Sequence, residues 1–199
     1  FQAVTNIGED ILVTCDCGYS SNIEVSSCVL NKEKNERIKT RELVSTPNAK
    51  TIEEVSKFLH EKPTKFVKTL IYKIDNEFYA CLVSGDREVN ENKLLKLLNA
   101  KDISLAEPDE VEKITNAKVG FAGPIGLNIK VIIDQDILYK YNFIVGANQT
   151  DYHFKNVNVQ DFKYEIAADI KNVKEDDICP NCGRRLTFQR GIEVGNTFK

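Results

Sequence analysis

TKFVKTLIYKI, residues 64–74, decides the fold. Phe66, Val67, Thr69, Leu70, Ile71 and Tyr72 are β-branched, aromatic or aliphatic on both alternation faces, the pattern of an interior strand covered on both sides. Lys68 interrupts that pattern. In a strand it shares a face with Phe66, Leu70 and Tyr72, and a lysine ammonium is rarely buried without a partner. Either the amine snorkels to water from an edge position, or the strand end opens on a pocket where an anion meets it. The strand alone leaves both readings open.

Working outward, Thr51 and Glu54 form a capping-box pattern. Ile52, Val55, Phe58 and Leu59 then repeat at helical spacing up to Pro63, which predicts a helix directly before the strand. Asp75-Asn76 reads as a hairpin turn into a second apolar strand, EFYACLVS, at 77–84. Helices are expected at 91–99, with Leu94, Leu95, Leu97 and Leu98, and at 108–115, opened by Pro108. Gly120, Gly123, Pro124 and Gly126 make a loop in which backbone amides can approach a ligand closely. Strands are expected again at 130–134 and 142–145. Gly146-Ala147-Asn148 then turns the chain, which places His153 in a loop. This order predicts an α+β domain over 47–165, a mixed sheet with helices packed on it.

The flanks read differently. FQAVT and DILVTC are extended, CDCGYSSN is a turn, and IEVSSCVL returns as a strand or the start of a helix. The polar stretch 31–41 reads as a linker, so residues 1–46 form one flank. Residues 166–199 form the other, with CPNCG and a strand pair turning near Gly191. Both flanks offer a cysteine knuckle and a strand, so the middle reads as an insertion between two parts of a small β-rich region.

Among the six cysteines, Cys15, Cys17, Cys179 and Cys182 are paired along the chain. Four thiolates suit tetrahedral zinc, and the CPxCG turn can direct backbone amides at the sulfurs. Cys15 and Cys17 have one residue between them where two are usual, and a redox pair at Cys179/Cys182 or unligated thiols are the alternatives. Cys81 lies inside an apolar strand and reads as core. His60 reads as a surface or helix-capping residue.

Composition sets outer limits. The chain has 199 residues, 42% hydrophobic, and no apolar run approaches the roughly 20 residues of a membrane span. No signal peptide is visible at the start, so a cytoplasmic protein with no membrane partner is expected. The first residue is not Met and the chain stops abruptly at VGNTFK, which predicts a piece of a longer protein. A net charge of −3 excludes global attraction to nucleic acid. Two basic clusters, Lys57/Lys62/Lys65/Lys68/Lys73 and Arg184/Arg185/Arg190, remain as local patches.

STPNAKTIEEV, FVKTLIYKI, SGDREVNENKL, AGPIGL, KVIID, GANQTDYHF and RGIEVGNTFK together resemble the editing insertion of bacterial-type prolyl-tRNA synthetase. The flanks resemble parts of that enzyme's class II catalytic domain. Free-standing deacylases of the same superfamily share the VKT and GPxG features but lack the RGIEVGNTFK tail. The resemblance implies hydrolysis of alanine wrongly attached to proline tRNA, without a cofactor. A pocket shaped for proline cannot strongly exclude a smaller apolar amino acid, so a second site must remove it.

Residue by residue, the resemblance implies that Lys68 is catalytic and that His153 is catalytic or discriminates the amino acid. It also implies that Gly123, Pro124, Ile125, Gly126, Asp134 and Val55 bind substrate. The implied partners are the acceptor end of proline tRNA carrying alanine and the remainder of the synthetase. The chain lacks the earlier and later class II motifs, so on this reading it neither activates proline nor charges tRNA. Many relatives lack the cysteine knuckles, so zinc rests on spacing alone. The rival reading is a non-catalytic, tRNA-binding structural insert stabilised by zinc.

Overall fold

In the computed structural model, residues 2–4 and 10–193 are described, with side chains for 11–191. The strands in chain order are β1 Gln2–Val4, β2 Asp10–Thr14, β3 Ser20–Asn22, β4 Glu42–Ser45, β5 Val67–Ile74, β6 Glu77–Ser84, β7 Ile103–Leu105, β8 Lys130–Asp134, β9 Phe143–Gly146, β10 Tyr152–Val157, β11 Ile166–Ala168 and β12 Thr187–Glu193. The helices are α1 Ile52–Leu59, α2 Glu91–Leu98 and α3 Pro108–Thr115. The chain divides into two compact units, one of residues 31–171 and one of 1–30 with 172–199.

The larger unit is built on a five-stranded sheet ordered β11-β8-β6-β5-β7. β5 and β6 form the expected hairpin. Asp75 and Asn76 turn it with φ of 45° and 70°, a left-handed pair whose twist matches that of the strands it joins. β8 runs parallel to β6, and β11 parallel to β8, so the sheet is mixed as expected. Alternation sorts its two faces. Val67, Ile71, Ala80, Leu82, Val131 and Ile133 enter one core cluster, while Tyr72, Cys81, Val83 and Ile132 enter another with Leu94 of α2. Cys81 is core, its thiol pushed up to about 12 by burial.

A second, antiparallel sheet is ordered β4-β10-β9. An isolated parallel bridge links Ile144 of β9 to Phe66, the residue directly before β5. Helix ends follow local rules. α1 has the full capping box of Thr51 and Glu54, and His60, Asn99 and Asn116 end the three helices in left-handed conformation. His60 thus caps α1 on the surface, three residues before Pro63.

Four expectations are corrected. His153 lies inside β10, a strand whose mixed sequence YHFKNV has no apolar run to betray it. IEVSSCVL forms neither helix nor strand; the chain turns at 23–25 after β3 and then continues without regular structure. Gly191 is no turn, because β12 passes straight through it, pairing with β2 over 187–191 and with β1 over 191–193. The second limb expected beyond it, residues 194–199, lies outside the described residues, as do Phe1 and Thr5 of FQAVT. Finally, the polar stretch 31–41 has no regular structure yet is tied to the larger unit: the Asn31 and Lys39 amides donate to Asp136 and Asn142 at 2.9 Å each.

The smaller unit is a four-stranded sheet ordered β1-β12-β2-β3, with Val13, Cys15, Cys28, Val173, Cys179 and Leu186 as its core. Segments from both parts of the chain contribute to it. Among the described residues no helix is long and apolar enough to cross a membrane.

Candidate active site

β7 pairs with β5 only at Tyr72–Ile74, so the edge of β5 from Val67 to Leu70 has no strand neighbour on that side among the described residues. A cavity of about 580 Å³ opens there. Its walls are mostly apolar, including Val67, Ile71, Val111 and Ile144, and both Lys68 and His153 line it. That volume and lining suit a small organic group rather than a flat docking face.

Lys68 has a side chain only 17% exposed, and its ammonium meets Glu88 Oε1 at 2.5 Å. The lysine is therefore in neither of its extreme states. It is too enclosed to be snorkelling freely and is paired through a carboxylate that is itself 72% exposed.

His153 is buried and lines the cavity. β10 places it opposite Val44 and Gly146. Its Nδ1 lies 2.7 Å from the Thr46 hydroxyl, and Phe121 packs edge-on with ring centroids 5.6 Å apart. Burial pushes the imidazole down to about 4, so the ring is neutral at physiological pH and is held rather than charged. A folded-state value below the unfolded one near 6.5 means that the unfolded chain binds the extra proton first. Stability is then complete above about pH 6.5 and falls as pH drops toward 4, by on the order of 2–3 kcal/mol. Urea unfolding at pH 7 and pH 5 should show this loss in the native sequence and a smaller one in His153→Gln.

The other expected substrate contacts are placed elsewhere. Asp134 does not line the cavity: it is 1% exposed, with Oδ1 3.2 Å from Lys171 Nζ and Oδ2 accepting from the Ile170 amide. Its position at the end of KVIID places it in a buried ion cluster, a partnership with a residue 37 positions away that no local pattern shows. Val55 is buried with Ala49, Phe66 and Ile144, one layer behind the wall formed by Phe66 and Ile144.

In the 123–126 loop the first glycine is fixed by its neighbours. The Gly123 amide donates to Asn148 Oδ1 at 2.8 Å, and Asn148 Nδ2 donates back to the Gly123 and Ile125 carbonyls. A Cβ on Gly123 would meet the Gly146 carbonyl oxygen at 1.7 Å. That glycine is required by backbone packing against the end of β9, and its amide is already used. Pro124 and Gly126 line a separate depression with Phe78 and Phe162, whereas Gly120, Ala122 and Gly146 line the main cavity. Thr46, Phe121 and Glu88 were not singled out from the sequence. Thr46 precedes the expected domain start, and Glu88 lies within SGDREVNENKL beside Asp86 and Glu91, with no local pattern that singles it out from them.

In the smaller unit the four knuckle cysteines converge. Cys15 and Cys182 Sγ are 3.5 Å apart, Cys17 and Cys179 Sγ 3.7 Å, and all four sulfurs lie within 4.8 Å of one another. Tetrahedral zinc with Zn–S near 2.3 Å sets sulfurs about 3.8 Å apart, so the donor set fits. The single-residue spacing of Cys15-Asp16-Cys17 does not prevent this, because Gly18 at φ 91° closes the knuckle. The thiols already influence one another. The Cys17 amide lowers the Cys15 thiol, but burial and the neighbouring thiols outweigh it and push it up to about 12. The Arg184 amide leads in drawing Cys182 down to about 6.

Against known proteins, the model of the aminoacyl-tRNA editing domain matches residues 46–164. Proline–tRNA ligases of Caldicellulosiruptor bescii and of Thermoanaerobacter sp. (strain X514) are each 52% identical over the whole of this chain. The chain spans only 35% and 36% of their respective lengths. A solved structure described as a candidate trans-editing enzyme for prolyl tRNA synthetase superposes with a TM-score of 0.59 at 21% identity, covering 67% of this chain and 87% of its own, a likeness of fold. The match of the family model over 46–164 and the 52% identity to these ligases along the whole chain decide the family: the chain belongs to the proline–tRNA ligase family and carries its aminoacyl-tRNA editing domain.

Proposed function

We propose that the cavity beside β5 hydrolyses alanine esterified to proline tRNA, as the proofreading site of a prolyl-tRNA synthetase. The observation that carries this reading is the convergence of an enclosed lysine and a buried, neutral histidine on one apolar cavity of an editing-family domain. Water adds to the ester carbonyl carbon, the bond from that carbon to the ribose oxygen breaks, and a proton from the water passes to that oxygen. Alanine and a free tRNA end are released. Lys68 supplies a point charge to the terminal phosphate or to the oxyanion that develops on the carbonyl, where one well-placed donor has a large effect. His153, fixed between Thr46 and Phe121, sizes and orients the amino acid rather than accepting the proton, since a ring titrating near 4 is a weak base. The neighbouring ribose hydroxyl of the substrate positions the water. Gly123, its amide already engaged, shapes the site without donating to it.

The purified protein should deacylate alanyl-tRNA(Pro) and leave prolyl-tRNA(Pro) intact, followed by release of labelled amino acid. Retained tRNA binding without hydrolysis would instead establish a non-catalytic binding insert.

In the smaller unit, Cys15, Cys17, Cys179 and Cys182 would hold zinc. Four protein ligands leave no open position, so the ion would supply structure and take no part in the chemistry of the cavity. Elemental analysis of the purified protein should find about one zinc per chain, and Cys179→Ser should lose it. A stoichiometry near zero in the native sequence would remove the assignment.

A further inference from the structure

The Lys68–Glu88 pair is unequal in a way that the hydrolytic reading leaves unexplained. The lysine side chain is 17% exposed and the glutamate side chain 72%, yet both line the cavity. A lysine enclosed by apolar walls needs a counter-charge when no ligand is present. A buried, fully bonded carboxylate would meet that need but could not be displaced. An exposed one can swing into water at little cost, because exposed ion pairs are weak.

The backbone around Glu88 is held in place. The Arg87 amide donates to the Ser84 carbonyl at 2.9 Å and the Asn90 amide to the Ile170 carbonyl at 2.8 Å, and Val89 bridges to Lys171. Arg87, Val89 and Asn90 are buried, so Glu88 alone of these four residues is turned outward. An anchored main chain with an exposed carboxylate would return that carboxylate to the same place each time a ligand leaves. The cavity's other acidic side chain, Glu53, is bonded to Lys57 at 2.7 Å. Among the described residues Glu88 is the one acidic group that meets the Lys68 ammonium.

We propose that Glu88 is a placeholder anion. It neutralises Lys68 in the free protein, is displaced when the phosphate of a nucleic-acid 3′ end enters, and thereby sets the affinity for that end. The role is one of positioning and competition, and it rests on the reading of the cavity as a site for a tRNA terminus.

The test is binding of an uncharged acceptor-stem RNA ending in CCA, followed by fluorescence anisotropy, to the native protein, Glu88→Gln and Glu88→Ala. With the competitor removed, both variants should bind about two- to fivefold tighter at low salt. The difference should shrink as salt screens the charges. Equal or weaker binding by the variants, or an RNA that binds none of the three, would overturn the proposal. Deacylation kinetics provide a second readout, with KM lowered and kcat retained. A fall in kcat at constant KM would show instead that the carboxylate takes part in the chemistry, and would also overturn it. Because the binding measurement requires no turnover, failure of the native protein to deacylate alanyl-tRNA(Pro) counts against the hydrolytic reading separately.

Discussion

Lys68→Ala is expected to lose deacylation of alanyl-tRNA(Pro) by at least about 100-fold, the order seen when a single preorganised charge or donor is removed from a site that holds the terminal phosphate or the developing oxyanion. Lys68→Arg should recover only part of the rate, because a planar fork does not reproduce the position of a compact ammonium in a narrow cavity. The fold should be spared. Lys68 is paired with an exposed carboxylate, and such pairs contribute about 0–1 kcal/mol. Single-turnover deacylation measured beside urea unfolding therefore separates the two effects. A variant with native stability and native rate would remove Lys68 from the chemistry.

Lys171→Met should do the reverse. Its ammonium lies 2.9 Å from Asp136 Oδ2 and 3.2 Å from Asp134 Oδ1, and all three side chains are nearly or fully buried. Removing the cation leaves two carboxylates without their shared counter-charge, a loss of about 3–5 kcal/mol in comparable cases. The same cluster ties the two ends of the larger unit, since Asp136 accepts from the Asn31 amide and Asp134 from the Ile170 amide.

The effect carries a pH signature. Burial raises the Asp134 carboxyl above its ordinary value, and Lys171 opposes that rise. A carboxyl whose folded-state value is raised contributes stability that is complete below the unfolded value and lost as pH rises through the folded one. Without Lys171 the rise is larger, so the deficit of Lys171→Met should be greatest at neutral pH and should shrink on acidification. Urea midpoints at pH 7.5 and pH 5 check this. A deficit independent of pH would show that the loss is one of packing alone.

These two lysines mark the limit of local reading. Lys68 is conspicuous because it interrupts an apolar strand, and a strand pattern spans only a few residues. Lys171 sits in ordinary polar sequence, and its burial follows from a partner 37 positions earlier. Asp134 shows the same limit from the other side. The family resemblance assigns it to substrate binding, and only the fold shows that parallel pairing of β11 with β8 brings Ile170 and Lys171 onto it.

What the sequence by itself determined is what neighbouring residues enforce. The β5–β6 hairpin follows from its left-handed turn, the three helices from caps and apolar spacing, and the core role of Cys81 from its apolar strand. The cysteine spacing offered a four-thiol cluster among its readings, and the fold brought the four sulfurs together. The tertiary structure decided what depends on pairing across distance. β7 stops short and leaves β5 open to a cavity, and β10 turns His153 inward against Thr46. Gly146 packs against Gly123, whose amide is engaged by Asn148. Local patterns record the conformational preferences of a few adjacent residues, whereas burial, charge pairing and cavity shape arise only when distant segments exclude water together.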